Sequence, residues 1–310
     1  MVTATQLSSY LYCPRKLFMT TVLSLESPPK EELVKGKIWH ETFELINTGE
    51  EAIVSSISEK KSYPELFDIY RKYYSKYLRN AIIKNKSGLK EFNLSMIELF
   101  KDYWPGFENE AKNRALNLSN FMNKHEVYGQ ELWKILTPKI LSEQYYKSEK
   151  LNLSGVIDVI EIHNTLQDDK KIYLPIELKT GKVPSKGMWD GHRVQLAAYI
   201  MLLEDKGYES TEGVLQYKDA DDRRVLQMNS LLRDEVLDLI RAVNKLISDF
   251  TLPDYVDNRN KCKTCPFKET CYNSSEMKTL LDQAKLKKES VKTSIKTETE
   301  LKITLKQAQN

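Results

Sequence analysis

Four cysteines constrain this chain more than any other feature. Cys13 stands near the start, whereas Cys262, Cys265 and Cys271 fall within ten residues of one another far downstream. A C-x2-C-x5-C run with Cys-Pro steps at Cys13-Pro14 and Cys265-Pro266 reads as a set of soft metal ligands. If Cys13 supplies the fourth thiol, the fold must bring its two ends together and close a very long loop. Tetrahedral Zn²⁺ and a [4Fe–4S] cluster are the two candidate occupants. Structural zinc usually draws on two close pairs; the division here is three and one, which weighs against zinc without excluding it. Four cysteines in 310 residues do not make a disulfide scaffold. The polar start lacks a signal-peptide pattern, and the longest nearly apolar run, Leu196 to Leu203, is far too short to span a bilayer. The expectation is a cytoplasmic protein with no membrane partner.

Charge alone does not announce a nucleic-acid binder. The formal net charge is +3, and residues 276–310 carry that whole excess. The rest of the chain is balanced, so any grip on a polyanion must come from a local groove.

Hydrophobic spacing divides the chain into five parts. Residues 1–49 read as N-terminal helices: a segment over 5–22, interrupted at Pro14, and a second over 31–48 with Leu33, Ile38, Phe43 and Ile46 expected to be buried. Residues 50–135 read as a helical insert, with breaks expected near Lys86–Gly88 and at Trp104-Pro105-Gly106. Residues 136–252 change period and form the expected core. Strands are predicted over 140–147, 152–163 and 172–179, with a polar hairpin loop from Asn164 to Lys170. A helix over 189–205 stops at Gly207, and a hairpin over 212–219 and 224–229 turns at Asp221-Asp222-Arg223. Ser230 is expected to cap an amphipathic helix that Pro253 ends. The cysteine region takes residues 253–275. Residues 276–310, rich in Lys, Thr, Ser and Glu, read as a solvated helix or a disordered tail.

The core segment carries a constellation suited to phosphodiester hydrolysis. That chemistry needs a divalent cation, carboxylates to hold it, and a nearby positive charge. Strand period puts Ile172, Leu174, Ile176 and Leu178 on one face and Glu177 with Lys179 on the other. Asp158, on the strand across the hairpin, shares a face with Val156, Ile160 and Ile162, and a carboxylate pointing inward needs a partner or a metal. Gln195 and Tyr199 are four apart and share a helix face. Mg²⁺ and Mn²⁺ want oxygen ligands, and one imidazole tilts a site towards Mn²⁺. Chemistry alone does not choose that imidazole from His40, His125, His163 and His192.

Taken in order, Cys13-Pro14-Arg15, His40, Gly155–Asp158, Glu177–Lys179, Gln195–Tyr199 and Cys262/Cys265/Cys271 resemble the CRISPR-associated RecB-like iron–sulfur exonucleases of the Cas-four type, within the PD-(D/E)XK superfamily. The match covers residues 5–48 and 140–272. The resemblance implies an α/β nuclease core, a small mixed sheet flanked by helices. His40, Asp158, Glu177 and the Leu178 carbonyl would hold Mg²⁺ or Mn²⁺, and Lys179 would assist the attacking water or stabilise the transition state. Asp158 and Glu177 would count with Lys179 as the catalytic set, and Gln195, Tyr199 and Arg15 would contact DNA. The four cysteines would hold a [4Fe–4S] cluster clamping the N- and C-terminal segments. The implied activity is removal of nucleotides from single-stranded DNA or free ends, 5′ to 3′, in CRISPR spacer acquisition with integrase partners or in DNA repair. Two other readings stay open: a non-catalytic DNA-binding adaptor of the same fold, and a zinc-clamped repair nuclease.

Overall fold

The computed structural model describes residues 1–164, 170–217 and 222–288. The interior of the expected 164–170 loop, residues 218–221 (the end of the expected 212–219 strand, and Asp221 of its turn) and the tail from residue 289 onward lie outside the described residues. The chain gathers into two compact units. The first takes Met1–Ser8 and Pro29–Ile240; the second takes Ser9–Pro28 and the chain from Arg241 onward.

The elements follow in the order β1 (Val2–Thr3), α1 (Ala4–Tyr12), α2 (Pro14–Thr21), α3 (Glu31–Ser55), α4 (Tyr63–Lys84), α5 (Lys86–Glu91), α6 (Met96–His125) and α7 (Gly129–Ile135). Then come β2 (Lys139–Ser148), β3 (Leu153–Asn164), β4 (Lys171–Lys179), α8 (Asp190–Asp205), β5 (Glu212–Tyr217), β6 (Arg223–Gln227), α9 (Ser230–Asp249), α10 (Asn260–Lys263) and α11 (Lys268–Tyr272). Among the described residues the six strands form one mixed sheet, with β1, β3, β4, β5 and β6 adjacent in that order and β2 also paired to β3.

The pairings of β3 create the setting for a site. β2 runs antiparallel to β3 along nearly all its length. On the opposite edge β4 pairs only with Val159–Asn164, and β1 pairs in parallel with Leu153 and Ser154. Residues 155–158 therefore face a gap in the ladder on that edge. Alternate residues of β4 also go to different layers, as strand geometry requires. Ile176 and Leu178 join the large apolar cluster built with α3, α4 and α6, whereas Glu177 is hydrogen-bonded to Gln195 of α8. The sheet is thus flanked by helices on both faces.

The helices between α3 and β2 share that core. Leu66, Tyr70, Tyr74 and Leu78 of α4 recur every fourth residue and are buried against α6. Trp39 of α3 packs on Phe43, Tyr103 and Phe107, with ring centroids at 5.5, 5.2 and 4.5 Å. A buried polar network crosses the same layer. Arg114 of α6 pairs with Glu50 and Glu110 and donates to Asn47 (2.8 Å), and Asn47 donates to Ser142 of β2 (2.7 Å). The helix carrying His40 and the strand beside it are therefore fixed by both packing and hydrogen bonds.

Several boundaries differ from the sequence reading, each for a local reason. α3 continues through Gly49 to Ser55 because the missing Cβ there makes room for the Tyr77 ring of α4. α6 runs through Pro105 without a break. Proline removes one helix hydrogen bond, but Tyr103 and Phe107 on either side are anchored on Trp39. Leu33, expected in the core, is 64% exposed. The cap of α9 is Asn229, whose Oδ1 accepts from the Leu232 amide at 2.9 Å, and Ser230 is the first helical residue. That helix stops at Asp249, before the left-handed Phe250 and well short of Pro253. Residues 274–288, the described part of the tail, are helical, and Met277 is buried with Met19 and Phe267 in a small core of the second unit.

Candidate active site

The gap beside residues 155–158 opens into a cleft of about 670 Å³. Its lining includes His40, Glu143, Asp158, Glu177, Lys179 and Gln195. Tyr199 can close over the gap because residue 155 is glycine: a Cβ there would sit 2.7 Å from the tyrosine ring.

Three of the expected ligands converge. The β3–β4 ladder ends at Val159↔Ile176, and Asp158 and Glu177 are the residues just past that end on the two strands. Asp158 Oδ2 accepts from the Leu178 amide at 2.8 Å, which brings the backbone of Leu178 to the carboxylate. His40 reaches down from α3, its Nδ1 lying 3.5 Å from Asp158 Oδ1 and 3.7 Å from Glu143 Oε1. Lys179 Nζ donates to Glu177 Oε1 at 2.5 Å and to Gln195 Oε1 at 3.2 Å. Gln195 Nε2 in turn donates to Glu177 Oε1 and to the Tyr199 hydroxyl, both at 2.8 Å. Glu177, Lys179, Gln195 and Tyr199 are one hydrogen-bonded chain rather than separate side chains.

Electrostatics show what this arrangement lacks. Burial and the nearby charge of Asp158 push the Glu177 carboxyl up to about 7, against the pull of Lys179. His40 shows the reverse balance: burial works against its charge, yet hydrogen bonds to Asp158 and Glu143 and the charges of Asp158 and Glu177 raise it to about 10. Two buried carboxylates repel each other; the His40 proton partly compensates, and a divalent cation would take its place. Glu177 Oε2 is fully buried without a hydrogen-bond partner among the described residues. An orphaned carboxyl oxygen in so enclosed a place costs free energy unless a cation meets it. The oxygen-and-imidazole donor set suits Mg²⁺ or Mn²⁺.

Glu143 was not anticipated from the sequence. It lies across from Asp158 by the β2–β3 register, between the pairs Ser142↔Val159 and Gln144↔Ile157. Its φ of 51° is left-handed, a conformation rare for a non-glycine residue inside a strand and characteristic of functional positions. Together His40, Glu143 and Asp158 form a group of ligand atoms all within 4.8 Å of one another.

The other histidines go elsewhere. His125 stacks on Phe121, and His163 Nε2 lies 3.0 Å from Glu161 Oε2. His192 does line the cleft, its Nδ1 lying 3.5 Å from the Tyr217 hydroxyl. Burial, and then Lys179, lower it to about 4, so it remains neutral at physiological pH.

The cysteines and Arg15 belong to the second unit, which has its own geometry. Cys13 caps α2, its sulfur accepting from the Lys16 amide at 3.3 Å. Arg15, expected among the DNA contacts, is 8% exposed, and its guanidinium is committed to its own unit. It donates to the Pro253 and Cys271 carbonyls (2.7 and 3.1 Å) and points Nε at Cys271 Sγ (3.2 Å). Burial pushes the Cys271 thiol up, Arg15 pulls it down, and Cys13 and Cys265 are near enough to add to the rise. The Tyr12 phenol is likewise raised, by burial and then by Cys265, Cys13 and Cys262. The chain ends therefore meet here, with thiols from both.

Comparison with known proteins adds an independent line. The sequence model of the PD-(D/E)XK nuclease superfamily matches residues 1–272. A CRISPR-associated exonuclease Cas4 of Rhodospirillum rubrum is 26% identical over 126 residues, covering 40% of this chain and 36% of that protein. A Cas4/endonuclease Cas1 fusion from the same organism is 26% identical over the same length, 21% of its own chain. The human DNA replication ATP-dependent helicase/nuclease DNA2 is 22% identical over 294 residues, covering 86% of this chain and 26% of that protein. This chain thus spans about a third or less of the curated relatives it matches.

Proposed function

The chain belongs to the PD-(D/E)XK nuclease superfamily, and on that premise we propose that it is a divalent-metal-dependent deoxyribonuclease, an exonuclease that shortens single-stranded DNA from a free end, 5′ to 3′. The observation that carries this reading is the buried, unpartnered Glu177 Oε2, set in a cleft with His40 and Asp158.

His40, Asp158, Glu177 and the Leu178 carbonyl are the proposed ligands of Mg²⁺ or Mn²⁺. Such an ion polarises a phosphate and lowers the pKa of a bound water. The chain's own groups do the rest. Lys179, held by Glu177 and Gln195, presents an ammonium where negative charge grows on the phosphate or where a water is aligned for attack. Gln195 anchors both Lys179 and Glu177, so the catalytic chain keeps its shape before substrate arrives. Burial and the Glu177 charge keep the Tyr199 hydroxyl protonated; it remains a neutral hydrogen-bonding group toward the strand.

The four cysteines are proposed to hold a [4Fe–4S] cluster. The support is the approach of Cys13 and Cys265 to Cys271, beside an Arg15 guanidinium that points at the Cys271 sulfur. Arg15 then acts through Cys271 rather than on DNA. Iron and acid-labile sulfide in equal amounts in anaerobically purified protein would support the cluster; stoichiometric zinc instead would assign the clamp to zinc.

Two biological settings fit. Likeness to Cas4 and to a Cas4/Cas1 fusion supports DNA trimming before spacer integration, with integrase proteins as partners. The DNA2 alignment reaches across 86% of the chain and favours replication-linked repair. The catalytic reading is tested by digestion of single strands labelled at either end, with Mn²⁺, by wild type and Glu177→Ala. Label loss from one end only, abolished by the substitution, is the expected outcome. Equal digestion by both proteins contradicts the assignment.

A further inference from the structure

The metal site cannot by itself distinguish single-stranded from paired DNA, because both present the same phosphate. A group that reads the base is needed. On the nuclease reading, a candidate for such a group stands at the rim of the same cleft. Tyr145 of β2 pairs with Val156 of β3, one same-face rung from Glu143 and Asp158. Cross-strand partners share a face, and both side chains line the cleft. Tyr145 is 61% and Val156 43% exposed. Leu33, from the first turn of α3, lines the cleft too and is as open to water. Scattered exposed apolar residues need no explanation, but three gathered at the mouth of an ionic cleft do.

The spacing fits an occupant. Two residues along a strand advance about 6.8 Å, close to the reach from a phosphate to a neighbouring base. A phosphate at Asp158 and Glu177 would therefore put a base at Tyr145. We propose that Tyr145, flanked by Val156 and Leu33, is a stacking platform for the unpaired nucleobase beside the scissile phosphate. An aromatic face accepts any base, so the contact carries no sequence preference. A base inside a duplex has its faces covered by its neighbours and cannot use the platform. Tyr145 is thus a positioning and strand-selecting residue, and its hydroxyl is not required.

Binding of a short fluorescent single-stranded oligodeoxynucleotide is measured by anisotropy in Ca²⁺, with one abasic residue scanned along it. The full chain is used as wild type, Tyr145→Ala and Tyr145→Phe. Tyr145→Ala should weaken binding to the intact strand on the order of ten-fold, and Tyr145→Phe should bind like wild type. One abasic position should cost wild type a similar factor and cost Tyr145→Ala nothing further. The proposal is overturned if Tyr145→Ala binds as wild type, if Tyr145→Phe loses as much as alanine, or if the abasic and alanine losses multiply at every position. A parallel arm with Mn²⁺ separates the two readings. Cleavage by wild type with multiplying losses removes only the platform, whereas no cleavage of any DNA removes the nuclease assignment itself.

Discussion

The cleft and the cysteine region both collect metal-ligand side chains, but they are held in different ways. The cleft is built on long elements. Its ligands stand on two strands and a 25-residue helix, and each is fixed by buried packing or by named hydrogen bonds. The cysteine region is built on α10 and α11, helices of four and five residues, and all four thiols are only half-buried. The small core beside it centres on Met19, Phe267 and Met277. So short a framework buries little apolar surface of its own, and a ligand shared by its thiols is the natural source of its order. On the proposed assignments, the active-site ion would be a reagent added to a finished fold, whereas the cysteine ligand would be part of the folding of its unit.

That contrast can be broken by removing one ligand from each place. Cys265→Ser should abolish iron and sulfide and expose the chain after residue 241 to protease. The cost should be roughly 5 kcal/mol, the scale for opening so long a closed loop. The helical content of the first unit should survive, as read by limited proteolysis and circular dichroism. Glu177→Gln should do the opposite. Turnover should fall roughly 10²- to 10³-fold, the range for loss of a group that stabilises transition-state charge. The melting temperature of the metal-free protein should be no lower, because a buried carboxylate facing Asp158 has been neutralised. A large loss of stability in Glu177→Gln would mean that the cleft, too, depends on its ligand.

Smaller effects sharpen the picture within the cleft. Gln195→Ala removes the hydrogen bonds that aim Lys179 and Glu177. Turnover should drop about ten-fold, the equivalent of one well-placed hydrogen bond, with Mn²⁺ affinity nearly unchanged by calorimetry. Glu143→Gln should show the reverse, a several-fold weaker Mn²⁺ affinity with little loss of turnover at saturating metal. Its side chain is partly exposed, so its contribution is screened.

The strands and the Glu177–Lys179 pair were legible because period-2 patterning and a charged pair on one face are local signals. Gln195 and Tyr199 were legible as helix neighbours, but not as a chain in which Gln195 bonds both Glu177 and the Tyr199 hydroxyl. His40 was different. Four histidines were chemically equivalent in the sequence, and only a family resemblance singled one out before the fold placed it beside Asp158. Glu143 was invisible because its approach depends on a register and a left-handed φ that no composition signal encodes. Leu33 was misread for the opposite reason: helical spacing says core, and the cleft at its end keeps it in water. Gly49 and Pro105 look like breaks, and both are overridden by aromatic packing from a distant helix.

The central claim is that one ion is shared by an imidazole and two carboxylates. Electron paramagnetic resonance of free Mn²⁺, titrated into wild type, His40→Ala, Asp158→Ala and Glu177→Ala, tests it most directly. The account predicts a tight site in wild type that weakens markedly in each variant while the fold persists. Unchanged affinity and stoichiometry in all three variants would contradict it.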